Sequence, residues 1–338
     1  MRITPEHSVS NWSGLRPSND ADFRTLLWLG MAMALAGLLY ARPDLIVWLW
    51  PVSLYFALAC GTIAHNHNHC PTFRSAGANQ VFSSLVSIFY GYPTFGWIPT
   101  HNMNHHRYVN RAGDATIGWR HSRKHSLAVA LTYFFVSSYW QSGPIREFIA
   151  KAKERSPSLY RRILWQYAIF IAVHVSLLAI ALALHGVWEG LFVYGMVFLL
   201  PCFFALWAVM TLNYEQHVHA DPWSDHNHSR SWDGRLLNFL LFNNGLHAAH
   251  HEAPGTHWSK LRNVHEALAH KIDNRLIHRG IWPYLVRQYL LSPLLPRLGT
   301  VQVGRAAYDQ PDGMTLVLAT AEVELGEAGT NAEMARGP

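Results

Sequence analysis

Four uncharged, apolar runs stand out along the chain: Thr25–Ala41, Leu45–Ala64, Ile163–Leu184 and Gly190–Leu212. Each holds 17 to 23 residues, and crossing the hydrocarbon of a bilayer takes roughly 20 helical residues. The pattern therefore predicts four transmembrane helices. Only Arg42, Pro43 and Asp44 separate the first two, and only His185–Glu189 the last two, so each pair forms a tight helical hairpin. Two further runs, Val81–Ile98 and Leu127–Ile145, also carry no charge. Gly91, Pro93, Gly96 and Pro99 break the first as a helix. Crossing there would also put Arg107, Arg111, Arg120, Arg123 and Lys124 on the side opposite the neighbouring basic loops. Both runs are read as interfacial or re-entrant segments.

Charge sets the sidedness. Of the 27 Lys and Arg residues, 26 lie before the first span, in the central loop or after the last span, and one lies in a hairpin turn. Positive residues stay inside, which places both termini and the central loop in the cytoplasm of a multi-pass protein. In a bacterium the membrane would be the inner, plasma membrane. The stretch before Thr25 is polar, with Pro5, Trp12 and Pro17, and no small-residue cleavage site follows the first run, so no cleaved signal peptide is expected. The chain divides into a cytoplasmic segment (1–24), a membrane domain (25–301) and a loosely ordered acidic tail (302–338).

Composition refines this picture. Apolar residues make up 50% of the 338 and charged residues only 14%, well below the roughly 25% of a soluble domain. Mean hydropathy is +0.03, too low for a chain made only of spans, so a large aqueous or interfacial part offsets them. The net charge of +6 reads as membrane orientation, and no nucleic-acid partner is expected. Cys60, Cys70 and Cys202 have no CxxC spacing and are read as free thiols.

The surplus is histidine, 22 residues. Four clusters stand out: His65-Asn-His67-Asn-His69, His101-Asn-Met-Asn-His105-His106, Gln216-His217-Val-His219 and His247-Ala-Ala-His250-His251. Residues three or four apart share a helix face, whereas residues two apart do not. His65 with His69, His101 with His105, and His247 with His250 and His251 can each aim at a common point, while His67 faces away. Asn213 and His217, also four apart, sit where the fourth span ends. Nine histidines have productive spacing: His65, His69, His101, His105, His106, His217, His247, His250 and His251. That is too many for one tetrahedral ion and enough for two. Imidazole suits iron, copper and zinc alike. Glu215 and Glu252 are the only carboxylates beside the clusters, and neither sits in an HExxH arrangement, which disfavours a zinc hydrolase. His121, His125, His226, His228, His257, His265, His270 and His278 need no special role.

The order HxxxH (65–69), HxxxHH (101–106) and HxxHH (247–251), with spans between, resembles the three histidine boxes of the membrane fatty acid desaturases and related hydroxylases. Asn110 and Asp114 follow the second box as such residues often do there, and Asn213-Tyr-Glu-Gln-His217 is similar to the segment that supplies an extra ligand and a water-holding asparagine. The resemblance implies an all-α integral membrane protein with two helical hairpins and a cytoplasmic helical cap. It further implies two Fe ions held by the nine histidines, with Asn213 contacting one through water and zinc a substitute in purified protein. Asn110, Asp114, Glu215 and Glu252 are candidates to hydrogen-bond the ligands. There are departures: His67 makes the first box HNHNH, and the second has three residues between its histidines where many members have two.

What the resemblance implies chemically is O2-dependent desaturation of an acyl chain of a fatty acid or lipid, with hydroxylation of a lipid-like substrate as the alternative. A non-enzymatic metal transporter would place its ligands near the bilayer midplane, where only His174 lies. The chain has no room for its own electron carrier, so a separate donor of ferredoxin, rubredoxin or cytochrome b5 type, with its reductase, is expected to dock on the basic cytoplasmic face around Arg107, Arg111, Arg120, Arg123 and Lys124. Those charges equally serve the positive-inside bias. Tyr90, Tyr92, Phe95, Trp97 and Trp207 are tunnel-lining candidates, with an interfacial aromatic belt as the alternative.

Overall fold

The computed structural model describes residues 16–120 and 122–309. Pro5, Trp12, His121 and the tail beyond Asp309 lie outside the described residues.

Three helical stretches are long and apolar enough to cross a membrane: Asp22–Ala41, Pro43–His69 and Pro157–His217. The first is helix α1 (Asp22–Ala41), and the second contains α2 (Ile46–His69). Between them the chain turns at Pro43, where the Arg42 guanidinium pairs with Asp44 at 2.6 Å. The third stretch takes in both of the last two expected runs: helix α6 (Pro157–Tyr194) passes through Gly186 between them and continues through a π-helical turn into α7 (Leu200–His217). It is not straight. Gly186 has φ 76° and ψ −178°, a conformation that glycine adopts without a Cβ penalty. Beyond it the chain doubles back, so that a Cβ placed on Gly190 would lie 2.6 Å from the Ala181 carbonyl oxygen. On an unbroken helix these residues would be about 13 Å apart. His185 at this turn reaches the Tyr40 carbonyl at 2.8 Å.

That contact is backbone against backbone and cannot yield by rotating a side chain. Gly190→Ala is therefore expected to cost about 1–3 kcal/mol by overpacking, seen as a lower thermal midpoint in detergent. An unchanged midpoint would contradict the close approach.

Small residues bring α2 and α7 together. Ala57, Cys60 and Ala64 of α2 and Ala205 of α7 are buried, and Gly61 lets the Val209 side chain approach its Cα. Close backbone approach of this kind is how helices pack where lipid removes the hydrophobic drive. Trp165, Ile171, Val175 and Trp188 of α6 are exposed, as an apolar face turned to lipid would be.

Helices overrun the apolar runs at their polar ends, and the extra turns carry chemistry. α2 continues past Ala64 to His69, and α7 past Leu212 to His217. Of the two uncharged runs read as interfacial, the first holds most of α3 (Ala76–Tyr90), stopped by Gly91, and its last residue opens a π-helix, Ile98–His105, that runs into the single turn α4 (His106–Tyr108). The second is the start of a longer helix, α5 (Leu127–Arg155). Past α7 come α8 (Arg235–Leu240), α9 (His247–Glu252), α10 (Leu261–Leu268) and α11 (Ile281–Leu285), with Ser231–Trp232 pairing in parallel with Ile277–His278. The first residues of the expected tail pack on this region: Val303, Ala306 and Ala307 are buried, and the Val303 amide donates to the His219 carbonyl. All three cysteines are free thiols.

Candidate metal centre

Five helical elements meet at one place. The last turn of α2 presents His65 and His69, the π-helix His101 and His105, α4 His106, the end of α7 His217, and α9 the remaining three. They sort into two groups. In the first, His65 Nε2 lies 2.9 Å from His101 Nε2 and 3.1 Å from His250 Nε2. His106 Nε2 joins them at 3.1 Å from His101 and 2.9 Å from His250. His69 completes the group, its Nε2 buried with no hydrogen-bond partner. In the second, His105 Nε2 stands 3.1 Å from His217 Nε2 and 3.2 Å from His251 Nε2, and His247 closes the ring at 2.9 Å from His217 and 3.1 Å from His251. The groups adjoin, the His106 and His251 rings being 4.6 Å apart.

This pairing differs from helical expectation in two places. His101 and His105, four apart, go to different groups, and His101 pairs instead with His106. The π-winding of Ile98–His105 is the cause, since it sets residues five apart over one another. His250 likewise parts from His247 and His251, facing the other group from the next position around α9. His67 points away as expected: its ring is buried between Thr72 Oγ1 at 2.9 Å and Ser83 Oγ at 3.0 Å. His67→Ala should keep the full metal content per folded chain while costing about 1–3 kcal/mol for the hydroxyls left unpaired. Metal analysis beside a melting curve checks this, and loss of metal at full fold would make His67 a ligand.

The donor set fits metal ions. A nitrogen about 2.0–2.1 Å from a metal sets its neighbours roughly 3 Å apart, as found within each group. In the second group hydrogen bonding cannot replace the ion. The Nδ1 of His217 must carry its proton, because it faces the His228 carbonyl at 3.0 Å. The Nδ1 of His105 faces the Asp114 carboxylate at 2.8 Å, while that of His65 lies between the side-chain amide oxygen of Asn66 at 3.1 Å and the amide nitrogen of Asn244 at 3.3 Å. Each neutral ring has one N–H, so His105 and His217 turn bare Nε2 lone pairs on each other at 3.1 Å, where they repel unless a cation lies between them. Burial, and then mutual repulsion among neighbouring rings, holds His101, His106, His247, His250 and His251 well below the usual imidazole value. At neutral pH they are uncharged, as ligands must be.

Asp114 is fully buried and receives four hydrogen bonds. His105 Nδ1 and the Asn110 amide donate to Oδ2, and the Thr116 amide and hydroxyl to Oδ1. Burial alone would raise its carboxyl, but the His105 imidazole and these bonds outweigh it and bring the value down to about 2. Asn110 Oδ1 accepts from the Gly118 amide and its Nδ2 donates to the His217 carbonyl at 3.4 Å. Two other candidates lie elsewhere. Glu215 is buried but binds His125, Tyr284 and Tyr289, and Glu252 lies 3.9 Å from His226.

Beneath the cluster is a cavity of about 460 Å³. His65, His101, His247 and Asn213 border it, and it follows α5 from Tyr133 to Ile149 against Leu206, Val209 and Met210 of α7. Of the five aromatic candidates, Tyr90, Tyr92 and Trp97 line it. Phe95 packs instead with Ile163 and Ala152, and Trp207 donates its indole N–H to the Leu131 carbonyl. The sequence reading missed Tyr133, Ser137, Gln141 and Arg146 of α5, Thr116, which bonds the His105 ring, and Asn244, 3.3 Å from His65 Nδ1. The signal for Tyr133, Ser137 and Gln141 is their four-residue spacing inside an uncharged run.

Comparison with known proteins agrees with this geometry. No curated protein and no solved structure matches the chain. The family model described as fatty acid desaturase matches residues 43–284, well over half of its length. The chain belongs to the fatty acid desaturase family.

Proposed function

We propose that this protein is an O2-dependent di-iron desaturase that introduces a double bond into an acyl chain of a fatty acid or lipid. The observation that carries the reading is the convergence of nine imidazole nitrogens, in two adjoining groups, at the head of a mostly apolar cavity. His65, His69, His101, His106 and His250 would hold one iron. His105, His217, His247 and His251 would hold the other, with Asn213, one turn before His217, holding a water on it. When bound, the irons would activate O2 to an oxidant able to take hydrogen from an unactivated CH2.

The chain's own residues do the rest. Asp114 keeps the proton on His105 Nδ1, and the His228 carbonyl keeps it on His217 Nδ1, so both rings hold their Nε2 lone pairs in one direction. Leu206, Val209, Met210 and Trp97 shape an apolar channel that excludes bulk water and confines a hydrocarbon chain beside His65, His101 and His247.

The break at Gly186 supports four spans in two hairpins, with the ligands at the cytoplasmic ends of α2 and α7 and both termini on that side. A separate redox protein would supply electrons there. Arg107, Arg123 and Lys124 are exposed on this part of the chain, whereas Arg120 donates to the Asp114 and Ala115 carbonyls and serves the loop instead of a partner.

Desaturation and hydroxylation share these ligands and part only after the first hydrogen is removed. Incubating membranes with a reductase system, O2 and a labelled acyl lipid should yield an O2-dependent unsaturated product. A hydroxylated product would select the alternative, and no O2-dependent change in any lipid would contradict both.

A further inference from the structure

The cavity wall carries one permanent charge. Among the described residues lining it, Arg146 is the only Arg, Lys, Asp or Glu. It sits on α5 thirteen residues beyond Tyr133, about 20 Å along the helix. Tyr133 marks the metal end, because its hydroxyl donates to the Thr116 carbonyl at 2.6 Å and Thr116 Oγ1 lies 2.9 Å from His105 Nδ1. Arg146 is exposed, so the cavity opens to the outside where its side chain stands.

No carboxylate among the described residues pairs with Arg146. Its one hydrogen bond goes to Ser142 Oγ at 3.1 Å, while neighbouring Glu147 is paired with Lys151 at 2.7 Å. A guanidinium has five donors in a planar fork suited to carboxylate or phosphate, and this one leaves most of them uncommitted at the mouth of an apolar channel. That is the complement of an amphiphile with a hydrocarbon tail and an anionic head.

We propose that Arg146 binds the anionic head group of the substrate, with the acyl chain running from it along α5 to the histidine cluster. The inference rests on the acyl-chain reading above and narrows it. A substrate held this way presents a carbon well along its tail, and the carbons next to the head group stay out of reach. A carboxylate and a phosphate monoester offer the same chemistry, so a free acid and a phosphate-headed lipid are both sources.

Equilibrium binding to the purified full-length protein in detergent separates the cases, with three labelled probes sharing one tail: oleic acid, oleyl alcohol and oleoyl lysophosphatidic acid. Arg146→Gln should weaken at least one anionic probe roughly five- to tenfold, the range of a charge-assisted pair at an exposed site. Oleyl alcohol should bind both proteins alike, and Arg146→Lys should recover part of the loss. The anionic probe that loses more names the source. Equal affinity of wild type and Arg146→Gln for both anionic probes, with the alcohol still bound, overturns the role of Arg146 and leaves the acyl-chain reading standing. Failure of all three to bind the wild type would overturn that reading itself, and this inference with it.

Discussion

His105→Ala and His250→Ala are each expected to abolish lipid oxidation, and each should empty a different metal position. His250 Nε2 lies within 3.3 Å of those of His65, His101 and His106, and His105 Nε2 within 3.2 Å of those of His217 and His251. Removing either leaves a hole in one group and keeps the other intact. Even a residue that only hydrogen-bonds a ligand typically costs 10–100-fold when changed, so losing a ligand should cost at least about 100-fold in activity. Metal analysis of the two folded variants should find about half the wild-type content in each. Full metal occupancy in the double variant would end the assignment.

The second large effect belongs to Asp114. Asp114→Asn keeps the shape of a buried side chain but replaces a carboxylate that holds the His105 proton with a neutral amide. The His105 ring then loses the carboxylate that fixes its tautomer and orientation, and the expected cost is about 10–100-fold in metal affinity at the His105 position. Chelator competition measures this, with circular dichroism to show that the fold is kept. The His250 position, whose nearest polar neighbours are the amides of Asn66 and Asn244, should be affected far less. Equal loss at both positions, or at neither, would contradict a role for Asp114 through His105.

Much of this site was legible because it is built from helix ends. The pairs His65/His69 and His247/His251 are one turn apart and each falls within one of the two groups, and the second apolar run leads into the helix that carries the first pair. Other features depend on winding and tertiary contact. Nothing in Ile98–His105 announces a π-helix, so the exchange of His105 for His106 as the partner of His101 was hidden. A break between the last two apolar runs was expected over His185–Glu189, but it is narrower than a loop, a single non-helical residue, Gly186, with helix on either side. Arg146 carried no local signal, since its meaning comes from a cavity formed with α7 and α6. Glu215 sat beside a ligand in sequence, but the turn of the helix aims it at His125 and two tyrosines instead.

Zinc in purified protein would not count against iron, because a nitrogen-rich site binds zinc tightly. The central claim is that nine histidines hold two irons, and anaerobic reconstitution of stripped protein with ferrous 57Fe, followed by iron counting and Mössbauer spectroscopy, tests it most directly. The account predicts two irons per chain in equal amounts with distinct parameters, one position having five imidazoles and the other four with water. One iron per chain, or none retained by a folded protein, would contradict it.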